Sequence, residues 1–593
     1  MKRWIYLGKG VDSHHRARRR LGVTSEWIYD ELLREKAASL RRPFLDFAAR
    51  MGEEQADPVT WWSTRFSWKT WDASDFFLLT CYLAVAESCI EESREKKFPL
   101  HVEVEDPWLL RQIKENISLP SGVTVKGPDL WGFRLRQCVI GIARRGNWLL
   151  TALRNRRRQR QFWPRQKPPV PADPIAGIFS HPSQNTFEQP GAWRDTHLPD
   201  MDRLLSESGF RVVRFTSPES SGWEKELSER SSFAVPLILW ATAGRLLKSL
   251  TVFWPQRWPE PLELQGRSVR WLCLREWWLE MGRSSLCAYR LFYECLKGVL
   301  SEGDWRMLVT FYENQPREKL QVLAARSAGV RTVGIQANLL SRYYFSFGLG
   351  KTQGHLPIPD RIGSSGQAMH QFLLEFGVPA SSLVLCGAVR YADLLERFAK
   401  AQSRPVIERK GPRKVLVVLP IDPLLSHHLL EALRLAFPQG GEEAGLHFVI
   451  RAHPVHSIPK SWVRFPAGWS ETTFTNLQEE LRSCDAVLFT ASTVGLEALA
   501  AGKTVVRYQP PRLLDLDEPY DPQVPVVRDD HFRAELLAHL KAGRSGYSPV
   551  ETEQLIRSVF QPVDRDRLLE LFGDTLISST RPKEPHAFAQ PAA

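Results

Sequence analysis

The sequence predicts an α/β protein of two doubly wound lobes facing a cleft, with helical insertions in the N-terminal lobe. Three observations carry that expectation. Short apolar runs at 415–420, 447–451 and Ala486–Phe489 read as strands buried on both faces. Stretches of helical spacing alternate with such runs, which gives the order strand, helix, strand. A charged, proline-bearing stretch at 403–414 separates an earlier series of these units from a later one.

In chain order, Arg3–Leu7 reads as a first buried strand and 25–51 as a helix with charges interleaved among Leu and Ala. Trp61, Trp62, Trp68 and Trp71 crowd a short polar stretch. They could stack on sugar rings, but anchoring one helix on another is the preferred reading. Residues 75–92 are helical. Leu100–Val104, a helix from Asp106 to Asn116 and Val123–Lys126 form a β-α-β unit.

Between 130 and 168 stand ten arginines (134, 136, 144, 145, 154, 156, 157, 158, 160 and 165) and Lys167, with no Asp or Glu. This window holds eleven of the twelve excess positive charges. The charge is therefore a local patch from Arg134 to Lys167, and no nucleic-acid partner is expected. With Trp131, Trp148, Trp163 and the apolar run at 138–153, it reads as an interfacial helix resting on an anionic membrane surface. That reading is preferred to a solvated basic face or an RNA contact. Residues 166–174 are a stiff, proline-rich linker.

Residues 175–180 and 210–215 are the next strands, with a helix near 201–208 between them. The stretch 223–300, rich in Trp and Leu, reads as a mostly helical insertion. Residues 307–312 and 332–336 are strands joined by a helix, and 360–363 with 383–387 close the first sheet. The first domain thus spans 1–402, the hinge 403–414 and the second domain 415–580, with helices at 429–437 and 531–542. A disordered tail is expected at 581–593.

Hydrophobic residues make up 43% of the 593, enough to build cores for two or three domains. The eight cysteines are scattered without a CxxC pair, which argues against a zinc site or a disulfide framework and fits a reducing compartment. The N-terminus lacks the apolar core of a secretory signal, and no apolar run is long enough to span a membrane. A cytoplasmic protein, peripheral on the inner face of the cell membrane, is the expectation.

The chemistry gathers at two strand ends. Arg451, His453 and Pro454 follow the strand at 447–451, and Thr490, Ser492 and Thr493 follow Ala486–Phe489. Ligands of open parallel sheets sit beyond the carboxyl ends of strands. A helix starting at Ser492 or Thr493 offers N–H groups and a positive dipole end to a phosphate, and the hydroxyls add donors. His453 can donate to the same phosphate and Arg451 can add charge. Glu497 lies four residues after Thr493, on the same face, where it can accept from a ribose diol. Bonds to a charged group contribute about 1.5–3 kcal/mol each, so three or four would hold a nucleotide phosphate ester. Singly, these residues read as a turn, an N-cap and a solvated carboxylate. Their order within one α/β unit favours the functional reading.

In the first lobe, Glu313 sits at a strand end facing the cleft, where it can act as a general base, with Asn314 and Gln315 beside it for sugar hydroxyls. It could equally cap the following helix. Asp195 and His197 form a second candidate pair, with a plain helix entry as the preferred reading. Arg390, near the hinge, contacts a donor phosphate or pairs with a carboxylate.

RAHP at 451–454 followed by TASTVGLEALAAGKTVV at 490–506 resembles the carboxyl-terminal half of a GT-B glycosyltransferase, a fold of two Rossmann-like domains. More narrowly, it is similar to the HP and Ser/Thr motifs of bacterial sialyl, Kdo and capsule transferases. YENQPRE at 312–318, GAVRY at 387–391 and WWSTRFSWKTWDAS at 61–74 resemble a bacterial surface-carbohydrate (capsule, O-antigen) biosynthesis family. The resemblance implies that His453, Ser492 and Thr493 bind donor phosphate and that Glu497 binds ribose. It implies a metal-independent glycosyltransferase with Glu313 and His453 as catalytic residues, and Arg390 and Arg451 among the donor-binding ones. The substrate is a nucleotide sugar, with a CMP-linked acidic sugar suggested by the HP motif, and the acceptor a lipid-linked or oligosaccharide hydroxyl. No cofactor and no metal are expected. The chain departs from the family pattern at Gln336-Ala337-Asn338, where Gln-His-Gly is usual, and at Arg317, where an aromatic is usual. A nucleotide-sugar 2-epimerase of the same fold and a catalytically inactive, membrane-associated assembly protein stand as alternatives.

Overall fold

A computed structural model describes residues 3–55, 57–163, 174–179, 195, 197–217, 234–252, 260–350, 356–402, 411–454, 456, 458, 465–473, 476–520, 524–543 and 548–573. All but the last residue of the linker expected at 166–174, most of the hinge at 403–414, the first part of the 223–300 insertion and the tail at 581–593 lie outside the described residues.

Residues 3–126 fold around a small sheet of their own. Strands β1 (Arg3–Leu7), β2 (Leu100–Val104) and β3 (Val123–Lys126) run parallel in the order β1-β2-β3, with Ile5 opposite Val102 and Val102 opposite Val125. Helix Phe76–Lys96 packs on β2 and on helix Asp30–Glu53. Its first three turns, Phe76 to Ala86, are buried all round, as an unbroken apolar run requires. Trp61 and Trp62 are buried on a short helix that packs against helices Ser285–Leu300 and Pro316–Ser327, so they are packing anchors. One N-terminal Rossmann-like domain over 1–402 is therefore corrected to a small unit plus a larger sheet. After β3 the chain enters the 33-residue helix Leu130–Phe162, about 50 Å long, which carries it away from the first sheet.

The larger sheet contains β4 (Ile175–Phe179), β5 (Arg211–Thr216) and β6 (Ala234–Pro236). After a two-stranded hairpin, β7 (Glu263–Leu264) and β8 (Arg267–Ser268), it continues with β9 (Trp305–Phe311), β10 (Arg331–Ile335), β11 (Arg361–Ser364) and β12 (Leu383–Leu385). Its seven strands are all parallel, in the order β12-β11-β10-β9-β4-β5-β6. Chain direction reverses across the sheet between β4 and β9, so the crevice for a ligand opens beyond their carboxyl ends. The mostly helical insertion at 223–300 is corrected at its start. Ala234–Pro236 is an edge strand, and its terminal proline, which cannot donate to a ladder, disguises it. Helices Ala243–Leu250, Arg270–Met281 and Ser285–Leu300 follow.

The third sheet has β13 (Arg413–Val418), β14 (Leu446–Arg451), β15 (Trp469–Glu471), β16 (Ala486–Phe489), β17 (Thr504–Tyr508) and β18 (Val526–Val527). All are parallel, in the order β15-β14-β13-β16-β17-β18, the strand order of a dinucleotide-binding sheet. The protein is thus α/β, with two doubly wound sheets turned toward one cleft.

The second domain does not run on to 580 as a single body. Helices Pro549–Val559 and Arg565–Glu570 return to the first lobe, where Ala388 N–H donates to Gln561 O (3.0 Å), Gln561 N–H to Ser365 O (2.9 Å) and Asp564 N–H to Cys386 O (2.9 Å). Leu571 and Phe572 are buried in one cluster with Ile178, Met307 and Ile335. An apolar face at 549–572 is satisfied there rather than on the sheet nearer in sequence.

Candidate active site

At the second lobe, β14 and β16 flank β13, and all three run the same way. His453 and the pair Ser492-Thr493 therefore leave the same edge of the sheet, two strand spacings or about 10 Å apart. His453 stays neutral: burial lowers its pKa, and His456 and Arg390 lower it further.

The β16 turn is tight. Ala491 is left-handed (φ 46°), and its N–H donates to Asp517 Oδ2 at 2.6 Å. Tyr520 Oη donates to Ser492 O (2.8 Å), and Val494 N–H is taken by Ser492 Oγ (3.3 Å). The following helix, Val494–Ala500, has only seven residues. The expected phosphate cradle of backbone N–H groups is corrected accordingly, because Asp517 and Ser492 already occupy two of them. The hydroxyls remain as the donors. Thr493 Oγ1 lies 3.2 Å from Tyr391 Oη, and the Tyr391 ring stacks on Phe560 at 4.3 Å. The returning C-terminal segment thus braces this corner.

Glu497 accepts from Gln478 Nε2 (2.8 Å) and Arg397 Nη1 (3.4 Å), and burial raises its pKa. Arg451 turns elsewhere than expected. Its Nη1 is 2.7 Å from Glu480 Oε2, a carboxylate whose side chain has no solvent exposure. A buried carboxylate requires its partner, so the pair with Glu480 gives Arg451 a structural role.

In the first lobe, Glu313 follows β9 at the reversal point of the sheet. It does not cap the next helix: Gln315 and Glu318 form the capping box, with Pro316 in the first turn, and Glu318 Oε2 accepts from Gln315 N–H (2.6 Å) and Glu313 N–H (3.2 Å). Asn314, left-handed at φ 55°, donates to Ser346 O (2.6 Å), and Ser346 Oγ donates to Glu313 O (2.9 Å). Asn314 is therefore a backbone clamp and not a sugar ligand. Gln315 Nε2 donates to the Glu313 carboxylate. Burial pushes the Glu313 carboxyl up to about 8; Glu318 and Asp72 add to the rise, and Arg390 opposes it.

Asp195 is a turn anchor: its Oδ1 accepts from His197 N–H (2.8 Å) and Leu198 N–H (3.1 Å), and its Oδ2 faces Arg214 at 3.5 Å. His197 packs on Phe311, ring centres 4.6 Å apart. Burial lowers its pKa to about 4, and Arg390 adds to the effect.

Arg390 is the common neighbour. It follows β12, and its Nη1 donates to Asn338 Oδ1 at 3.1 Å. Its positive charge acts on Glu313 and His197 of the first lobe and on His453 and Glu497 of the second. Of the expected residues, Glu313 and His453 follow the carboxyl ends of β9 and β14, Arg390 bonds Asn338, Thr493 meets Tyr391, Glu497 is held by Gln478 and Arg397, and His197 packs on Phe311. Asn338, Tyr391, Gln478, Arg397 and Asp72 were not singled out as ligands in the sequence. Asn338, Tyr391 and Asp72 lie within or beside motifs already noted, whereas Gln478 carries no local signal. Ala337 is fully buried and Gln336 donates and accepts within the core, its Oε1 taking Ser365 N–H (3.1 Å). Arg317 lies over the Phe292 ring, away from these groups.

A hollow of about 1350 Å³ lies at the opposite, amino ends of β13, β14, β16 and β17, lined by Arg413, Leu446, Ala486 and Thr504. In open parallel sheets ligands bind beyond the carboxyl ends of the strands, the end from which His453 and Ser492 leave. A hollow of about 320 Å³ borders Arg390.

No family model matches the chain, and no curated protein matches it. Solved structures with a similar course include the UDP-GlcNAc 2-epimerase of Neisseria meningitidis bound to UDP-GlcNAc, 11% identical, with a TM-score of 0.37 over 67% of this chain and 99% of that one. The UDP-N-acetylglucosamine 2-epimerase of Rickettsia bellii is 11% identical, with a TM-score of 0.39 over 68% and 96%. Alr3699/HepE of Anabaena in complex with UDP and glucose is 13% identical, with a TM-score of 0.35 over 68% and 99%.

Proposed function

We propose that the chain is an enzyme that takes a nucleotide sugar into this crevice, and that Arg390, by joining charge-bearing groups of both lobes, is the centre of donor binding. The observation that carries the reading is the corner where the two lobes meet: Arg390 Nη1 donates to Asn338 Oδ1 (3.1 Å) in the first lobe, and the adjoining Tyr391 Oη lies 3.2 Å from Thr493 Oγ1 of the second. In this reading Arg390, neutral His453 and the hydroxyls of Ser492 and Thr493 bind the donor phosphate, and Glu497 binds ribose. Charge developing on the leaving phosphate is met by donors already in position, which is the most effective form of electrostatic catalysis. Glu313 moves the proton. A carboxyl near 8 is poised for that task at neutral pH.

Glycosyl transfer to a hydroxyl of a lipid-linked or glycan acceptor in bacterial surface polysaccharide synthesis is the reaction implied by the motifs. The donor nucleotide, CMP or another, is open to direct measurement. The alternative, 2-epimerisation of the same kind of donor, is the activity named for two of the solved structures above.

A thermal-shift panel of CMP, UDP, GDP and dTDP tests donor binding. A nucleotide at a hundred times its Kd stabilises by about 2.7 kcal/mol, and a flat panel overturns the reading. Release of free nucleotide from its sugar without an acceptor favours the epimerase; release only with a lipid or glycan acceptor favours transfer. Glu313→Gln lowers kcat by about a hundredfold or more in either reaction. The wild-type rate rises with pH toward about 8, because only the ionised carboxylate accepts a proton. Activity unchanged in Glu313→Gln excludes it as the proton carrier.

A further inference from the structure

Among the described residues, helix Leu130–Phe162 is docked along one side. Gly141 lies so close to helix Arg270–Met281 that a Cβ there would stand 2.5 Å from Met281 O. Arg144 Nη1 donates to Gly282 O (3.1 Å), and Arg145 reaches Leu250 O and Val252 O (3.4 Å each). Trp148, Ala152, Asn155 and Gln159 continue this buried side at successive turns further on.

The other side carries an apolar stripe in the open. Trp131, Leu135, Val139, Ile142, Leu150 and Leu153 are all exposed, Trp131 by 77% and Ile142 by 78%. With Gly146 filling the gap, successive steps of three and four residues keep them on one line of a straight helix. The line is about 33 Å long. Beyond it the exposed face is basic, with Arg154, Arg157 and Arg160, and Arg136 stands beside the stripe. No acidic residue occurs between 130 and 168.

We propose that this face lies flat on an anionic lipid bilayer, the stripe at the acyl boundary and the arginines among headgroup phosphates. A long, straight, uniformly basic and apolar line matches a plane of negative charge over hydrocarbon. A second copy docked on the same stripe would set arginine against arginine. An RNA would use the arginines and leave the stripe in water. The inference rests on this helix alone and stands apart from the nucleotide-sugar reading.

Flotation of the full chain with phosphatidylcholine vesicles, with and without phosphatidylglycerol, tests it. The chain is expected to float with the anionic vesicles only, and less so as salt rises. Arg154→Glu/Arg157→Glu/Arg160→Glu weakens that binding by about a hundredfold. Val139→Asp/Ile142→Asp weakens it by about tenfold or more, with an unchanged melting temperature because both positions are exposed. Equal binding to both vesicle types overturns the proposal. So does full binding by Val139→Asp/Ile142→Asp, which would leave only a polyanion site, or a dimer that this same variant abolishes.

Discussion

Arg390 and Arg451 have the same charge and were both expected at the donor phosphate, yet their surroundings divide them. Arg451 neutralises Glu480, whose side chain is closed to solvent. Arg451→Ala strands that carboxylate, so a loss of about 3–5 kcal/mol in urea unfolding is expected, with nucleotide affinity unchanged in the protein that remains folded. Among the described residues, Arg390 bonds one amide oxygen, Asn338 Oδ1, and lies over the Tyr391 ring at 5.2 Å. Its removal leaves no carboxylate stranded within bonding distance. Arg390→Ala should therefore unfold like wild type but bind the stabilising nucleotide some ten- to a hundredfold more weakly, the equivalent of one charged bond. Arg390→Lys falls between, since an ammonium lacks the planar fork. The reverse pattern, with Arg390 structural and Arg451 in binding, would overturn the site assignment.

At the scale of elements, the returning helices are the part of the fold most open to test. Phe572 has no solvent exposure and packs among residues of the first lobe's sheet. Phe572→Ala should cost about 3–5 kcal/mol, measured by chemical denaturation, although the residue follows the second lobe in sequence. A loss below about 1 kcal/mol would mean that the segment docks only loosely. Buried central strands were legible from their continuous apolar runs, as at Val415 to Val418 and Ala486 to Phe489. The edge strands Ala234–Pro236, Trp469–Glu471 and Val526–Val527 were not, because two or three residues set no period. Helix Pro549–Val559 begins at a Ser548–Glu551 capping box that was not singled out in the sequence. Where it would dock was not legible, since docking depends on a surface some two hundred residues upstream. The site shows the same division. Residue types at strand ends pointed to the crevice, whereas Arg451's diversion to Glu480 required the position of a helix that local pattern does not report.

Taken whole, the molecule is stitched across its lobes by the small N-terminal unit. Arg512 N–H donates to Asp30 Oδ1 (2.7 Å), Tyr82 Oη donates to Arg512 O (2.7 Å), and His428 Nε2 lies 2.8 Å from Lys9 O. A single buried apolar cluster runs from Ile5 through Leu425 and Leu496 to Phe560, so the lobes should unfold in one transition rather than two. The seam also fixes how acid acts. His428 is buried, and burial, Arg512, His427 and His14 all disfavour its protonation, against the pull of Lys9 O; its pKa falls from 6.5 to about 3. The unfolded chain gains this proton near 6.5 while the folded one refuses it down to about 3. The neutral ring's contribution is therefore whole above 6.5 and shrinks as pH falls through that window. The slope from this one group approaches about 1.4 kcal/mol per pH unit. His428→Gln can still donate to Lys9 O but cannot titrate. Between about pH 7.5 and 5.5 it should lose less stability than wild type in urea midpoints, by roughly 1 kcal/mol. Identical slopes for the two proteins would place the acid-sensitive group elsewhere than the seam.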